Sequence, residues 1–249
     1  MIELKSAQEL DKMRESGRLC ANCMEKLIAH VKPGVSTKQL DSIAEQFIEA
    51  AGAIPSFKNY RGFPASICAS VNDEVVHGIP GDKVLKEGDI IGIDFGAILD
   101  GWHSDMARTV GVGEIAEEAK ALIRVTKESF CAGMNQAVQG NRLRDISSAV
   151  EKVAKSHGYS VVRDLVGHGI GRSMHEQPDV PNFTFRGPNP RLLAGMVLAI
   201  EPMVNIGGAK VFWGEDGWVV KTADGSLSAH YENTVAITEN GPEILTKVW

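Results

Sequence analysis

The chain has 249 residues, a formal charge of −6, and 43% apolar and 23% charged residues, the balance of an ordinary globular enzyme able to bury a substantial core. No basic block points to nucleic acid. No apolar run approaches the roughly 18 residues of a membrane span, and Met1 to Arg14 lacks a signal-peptide core, so a cytoplasmic location without membrane contact is expected.

Ser6-Ala7-Gln8-Glu9 reads as a capping box that opens a long helix to about His30. Cys20 and Cys23 lie inside that helical pattern. No second pair completes a zinc site, so they read as buried reduced thiols. Lys32-Pro33-Gly34 stops the helix. Ser36 starts another, with Leu40, Ile43, Ala44, Phe47 and Ile48 on one face and Gly52 at its end. His77-Gly78-Ile79 follows, and then Gly88 leads into the apolar strand Ile90-Ile91-Gly92-Ile93 with Asp94 at its end. Asp100-Gly101 is a two-residue hairpin signal. That turn puts Asp94 and Asp105 on one face of adjacent strands, opposite or one diagonal step apart.

The pattern then returns. A long helix is predicted over 115–138, stopping near Gly140. The next carries Ile146, Ala149, Val150, Val153 and Ala154 on its apolar face and ends at Gly158. The spacing from Gly34 to Gly52 equals that from Gly140 to Gly158. His168-Gly169-Ile170 matches His77-Gly78-Ile79, and Gly195 leads into Val197-Leu198-Ala199-Ile200, capped by Glu201 and Pro202. The shared order argues for a single catalytic domain, 1–249, made of two similar halves at about 1–110 and 111–249. The expected fold is α+β: a curved, mostly antiparallel sheet covered by helices on one side, with pseudo-twofold symmetry. A site between the halves would draw one His and some acids from each.

Asp94, Asp105, Glu201 and Glu232 are four carboxylates in or at the ends of apolar strands. Taken singly, each could be exposed at an edge. Together they would repel and be costly to desolvate, and a divalent cation removes both problems. His168, flanked by Gly167 and Gly169, has space around its imidazole; alone it could equally be a core histidine bonded to backbone. Asn182-Phe183-Thr184 is a glycosylation sequon that matters only in a secreted protein.

The motifs Ser70-Val71-Asn72-Asp73-Glu74-Val75-Val76-His77-Gly78-Ile79-Pro80, Ile93-Asp94-Phe95-Gly96, Gly101-Trp102-His103-Ser104-Asp105, Gly167-His168-Gly169-Ile170-Gly171, Met174-His175-Glu176, Ile200-Glu201-Pro202 and Tyr231-Glu232-Asn233-Thr234 occur in this order. The set resembles a type I (bacterial) methionine aminopeptidase of the pita-bread fold along nearly the whole chain. The resemblance implies removal of the N-terminal methionine from nascent proteins and peptides when the second residue is small. It implies two divalent ions (Co²⁺, Mn²⁺ or Fe²⁺) held by Asp94, Asp105, His168, Glu201 and Glu232. Asp105 and Glu232 would bridge the ions, which activate a water whose proton passes to Glu201. The oxygen-rich donor set agrees with such metals. His77 and His175 would contact the substrate, and Tyr60, Phe63, Cys68, Met174 and Trp218 would line the methionine pocket. Many relatives carry an aromatic residue where Met174 stands, so this wall is expected to be more flexible. The family also suggests a monomer that touches the ribosome transiently. X-Pro aminopeptidases and prolidases share fold and ligands but usually carry an extra N-terminal domain, for which a first helix near Ser6 leaves no room. Type II enzymes have an insertion not seen between His175 and Glu201. A non-catalytic relative would have lost ligands that this chain keeps.

Overall fold

The computed structural model describes residues 2–247. Four helices are present: α1 (Ala7–His30), α2 (Thr37–Ala50), α3 (Glu117–Met134) and α4 (Leu143–Ser156). The strands are β1 (Ile54–Pro55), β2 (Ile67–Val71), β3 (Glu74–Val76), β4 (Ile90–Leu99), β5 (Trp102–Gly111), β6 (Ser160–Val161), β7 (Gly167–Gly169), β8 (Glu176–Val180), β9 (Val197–Ile200), β10 (Met203–Asn205), β11 (Val211–Trp213), β12 (Val220–Thr222), β13 (Ser228–His230), β14 (Asn233–Thr238) and β15 (Gly241–Ile244).

The first two helices start where the capping boxes place them. Ser6 and Glu9 satisfy each other's backbone N–H, and Ser36 and Gln39 repeat the exchange. α3 is shorter at both ends than its apolar pattern predicts, because residues past Met134 leave the helix in tight turns before Gly140. On α4, Ile146, Val150 and Ala154 are buried, while Ala149 and Val153 flank them half-buried.

All strand pairs are antiparallel, but they form four sheets rather than one continuous curved sheet. β4 pairs with β5 along one edge and with β1 and β2 along the other. The order β15-β14-β9-β7-β8 makes the widest sheet, and β13-β10-β6 and β11-β12-β3 complete the set. Short strands and a register shift between Val220 and Lys221 break the ladders. What spans the break is local: an isolated bridge between Arg108 and Tyr231, reciprocal bonds between the Ala107 and Glu232 backbones, and β3 paired with β12.

Alternation along β4 sorts its faces. Ile91, Ile93, Phe95 and Ala97 pack with Cys20, Met24 and Leu27 of α1 and Leu40, Ala44 and Ile48 of α2. Each such fully buried aliphatic or aromatic side chain contributes about 1.5–3 kcal/mol. Cys20 and Cys23 are free thiols inside this core, as expected. Asp94 falls on the face of β4 turned away from the helices. On the other side of the chain, α3 and α4 contribute Leu122, Val150 and Ala154 to a second layer with Val161, Val204 and Ala229.

Candidate metal centre

Two hairpins and two strand ends deliver the acids. Asp100 and Gly101 have φ of 50° and 79°, the conformation that a two-residue turn between twisted strands requires. The resulting register pairs Gly96 with Asp105 and Asp94 with Ala107. Asp94 and Asp105 are therefore one diagonal step apart on the same face. β4 runs on past Asp94 to Leu99, so that carboxylate is mid-strand rather than terminal. Glu201 directly follows β9, with its carbonyl held by the Asn182 side chain at 3.0 Å. That contact buries Asn182, so the sequon is closed to a glycan in the folded chain. Glu232 stands between β13 and β14, buried at 2% exposure.

His168 sits in β7 between β8 and β9. Its flanking glycines serve the backbone, not the ring. A Cβ at Gly167 would lie 2.3 Å from the Ala199 carbonyl oxygen, and one at Gly169 would lie 2.4 Å from that of Gln177. The His168 Nδ1 bonds to the Gly169 carbonyl at 2.9 Å, which places the ring proton there and leaves the Nε2 lone pair facing the acids. Nε2 lies 3.6 Å from Glu201 Oε1 and 3.9 Å from Asp105 Oδ2.

The five residues that the resemblance implies as ligands thus line one cavity of about 280 Å³ together. His77, His175, Tyr60, Phe63, Cys68, Met174 and Trp218 line the same cavity. Phe63, Cys68 and Met174 are buried together with Phe57, and Phe63 meets Trp218 edge-on at 5.1 Å. The Tyr60 hydroxyl and the His175 Nδ1 share a 2.8 Å hydrogen bond, and the His175 ring lies 4.2 Å from that of His168. His77 has φ of 61°, unusual for a non-glycine residue and a conformation that concentrates at functional sites.

Burial, then mutual repulsion, pushes the Asp94, Glu201 and Glu232 carboxyls well above the usual range. Burial pushes Asp105 up to about 7. Burial drives His168 down to about 3 and His77 down to about 4, keeping both rings neutral. Among the described residues, Asp94 Oδ1, Asp105 Oδ1 and Glu232 Oε1 are buried without a hydrogen-bond partner. Buried, unpaired, mutually repelling oxygens beside a neutral imidazole fit a divalent cation, which would satisfy all of them at once. Asp105, His168 and Glu232 can each offer an atom within 4.8 Å of the others, and so can Glu201, His230 and Glu232.

Several residues of this centre have no role that sequence reasoning assigned. His230 is buried beside Glu201 and Glu232, and Phe57, Arg61 and Leu165 line the cavity. Arg108 lies 4.0 Å over the Tyr231 ring and donates to the Glu232 carbonyl and the Asn233 side chain, pinning the segment that carries Glu232. Only the 3D pairing of β5 with 231–233 reveals these. Thr234 pins the same seam, accepting from the Asp105 N–H and donating to the Asp105 carbonyl, both at 2.9 Å. Thr234→Val keeps the shape but strands a buried N–H. It is expected to lower the unfolding free energy by about 1–3 kcal/mol. An unchanged urea midpoint would show that the bond pair contributes nothing.

The description "Metallopeptidase family M24" matches residues 11–239. The chain belongs to metallopeptidase family M24. This M24 chain is 57% identical to a methionine aminopeptidase of Clostridium perfringens over 248 residues, covering 100% of both. It is 53% identical to methionine aminopeptidase 1 of Bacillus subtilis, again over 100% of both. The crystal structure of methionine aminopeptidase from Rickettsia prowazekii superposes with a TM-score of 0.97 at 44% identity, over 99% of this chain and 100% of that one. The resemblance to type I methionine aminopeptidases therefore holds along the whole chain, pita-bread fold included. A prolidase from Pyrococcus horikoshii matches 99% of this chain and 64% of its own at 23% identity and a TM-score of 0.81, which is likeness of fold alone.

Proposed function

We infer that this M24 chain is a methionyl aminopeptidase, a metal-dependent hydrolase that removes the N-terminal methionine from nascent proteins and peptides when the second residue is small. The observation that carries this is one cavity with two unlike linings. Acids and His168 form one; Phe63, Met174 and Trp218 form the other, and Cys68, packed with them, pairs with Asp94 across the strands.

Two divalent ions, Co²⁺, Mn²⁺ or Fe²⁺, would be held by Asp94, Asp105, His168, Glu201 and Glu232. When bound, such ions supply Lewis acidity that lowers the pKa of water and stabilises developing negative charge. The chain's own groups do the rest. Glu201 takes the proton of the attacking water and passes it towards the leaving amine. A Tyr60 O–H donated to His175 Nδ1 keeps the His175 proton on Nε2, ready to bond the oxygen of the tetrahedral intermediate. His77 faces the peptide nitrogen or the residue after it. The apolar wall excludes water and seats the thioether. By its likeness to methionine aminopeptidases the chain acts in the cytoplasm as a monomer that docks on the ribosome only transiently.

Burying a methionine side chain contributes roughly 1.5–3 kcal/mol, and one methylene changes discrimination by about 10–200-fold. Met-Gly and Met-Ala peptides should therefore be cleaved and norleucine accepted at the first position. Met-Leu, Met-Lys, Ala-Ala and N-formyl-Met-Ala peptides should not be cleaved. Side-by-side kcat/KM values decide it. Preference for Ala-Pro or Leu-Pro peptides over Met-Ala would replace this reading with an X-Pro enzyme.

A further inference from the structure

His230 ends β13, and its ring faces the acid cluster. It is 3% exposed. Its Nε2 lies 3.5 Å from Glu201 Oε2 and 3.9 Å from Glu232 Oε2, and has no hydrogen-bond partner among the described residues. These separations are too long for hydrogen bonds, so the nitrogen does not donate to either carboxylate. A buried ring nitrogen facing two carboxylate oxygens without a bond needs something between them.

The distances say what fits. Nitrogen and oxygen donors sit about 2.0–2.2 Å from a transition-metal ion, which places donors on one ion roughly 3.0–4.2 Å apart. Both His230 separations fall in that range. So do those of His168, at 3.6 Å from Glu201 Oε1 and 3.9 Å from Asp105 Oδ2. The two rings thus flank Glu201, one against each carboxylate oxygen. Glu232 belongs to both three-donor groups: with Asp105 and His168, and with Glu201 and His230.

We propose that His230 is itself a metal ligand, which joins Glu201 and Glu232 in the donor set of the centre. The centre then carries two imidazoles rather than one. Its donor set is softer and more selective for transition metals than carboxylates and a single imidazole would make it. The backbone is built to hold the ring in place. The His230 N–H donates to Thr109 Oγ1 at 2.8 Å, and the Thr109 hydroxyl donates back to the His230 carbonyl at 3.0 Å, locking β13 to β5.

The proposal rests on reading the cluster as a divalent-metal centre, and the test separates the two. The full-length protein, labelled with ¹⁵N-histidine and stripped of metal, is titrated with Zn²⁺ alone. Imidazole nitrogens are followed by long-range ¹H–¹⁵N correlation. Two Nε2 resonances are expected to move to the metal-bound range, and in His230→Gln one of them should be missing while the His168 signal still moves. If only the His168 signal moves in the wild type, the assignment of His230 is wrong and the metal centre stands. If two still move in His230→Gln, another imidazole is the second ligand and the proposal fails. If no resonance moves, both the proposal and the metal reading fall. A wild-type count of one overturns the proposal without any variant, and His230→Asn is the second replacement through which a count of two is assigned if His230→Gln folds poorly.

Discussion

Exhaustive chelation is expected to abolish peptide hydrolysis, and Mn²⁺ or Co²⁺ added back is expected to restore it. His168→Ala should lose activity by more than the roughly 10²-fold seen when an outer partner of a metal ligand is removed. The same added metal should not rescue it. The reason is the donor set. Three buried carboxylate oxygens have no partner, and the carboxyls are pushed upward when no cation is present. Without a cation the cluster would take up protons instead of presenting oxygen donors. His168 is buried at 5% exposure, so the substitution is not made on a free surface. Its ring nevertheless borders the cavity of about 280 Å³, and truncation enlarges that space instead of sealing a new void. Circular dichroism and thermal unfolding should therefore remain close to wild type while turnover is lost. Full activity in completely chelated protein would sink the metal mechanism.

Local chemistry made most of this legible from sequence. The capping box at Ser6 and the start signal at Ser36 fix where α1 and α2 begin, and Asp100-Gly101 fixes the register that aligns Asp94 with Asp105. These signals are short-range and need no tertiary information. The resemblance supplied the ligand set and the pocket residues, which the folded chain brings to one cavity. What stayed hidden depends on distant segments. A His three residues after Leu227 reads as any strand residue until β13 meets β5 through Thr109. Arg108 is an unremarkable strand cation until Tyr231 lies beneath it. The glycines around His168 were legible as glycines, but their reason, the Ala199 and Gln177 carbonyls, lies on β9 and β8. The division into four sheets likewise follows from long-range strand pairing that periodicity does not encode.

Glu201→Gln is expected to lower kcat by about 10²–10⁴-fold, the loss typical of removing a general base. KM for a Met-Ala peptide should change far less. Glu201 is better placed for proton transfer than Asp105 or Glu232 on grounds of access. Its side chain is 13% exposed, against 6% for Asp105 and 2% for Glu232, so a reacting water reaches it more readily. Burial and the nearby Asp94 and Asp105 charges hold its carboxyl well above the usual range, which favours accepting a proton. Glutamine keeps the length, one oxygen and the backbone anchor through Asn182 at 3.0 Å. It removes the charge and the basic site. The variant therefore loses a donor oxygen's charge as well as a base, and the two losses must be separated. Metal titration does this. If kcat returns towards wild type once Mn²⁺ is saturating, Glu201 acts only as a ligand and the base lies elsewhere. If kcat stays low at saturating metal with KM little changed, the missing function is proton transfer in the transition state.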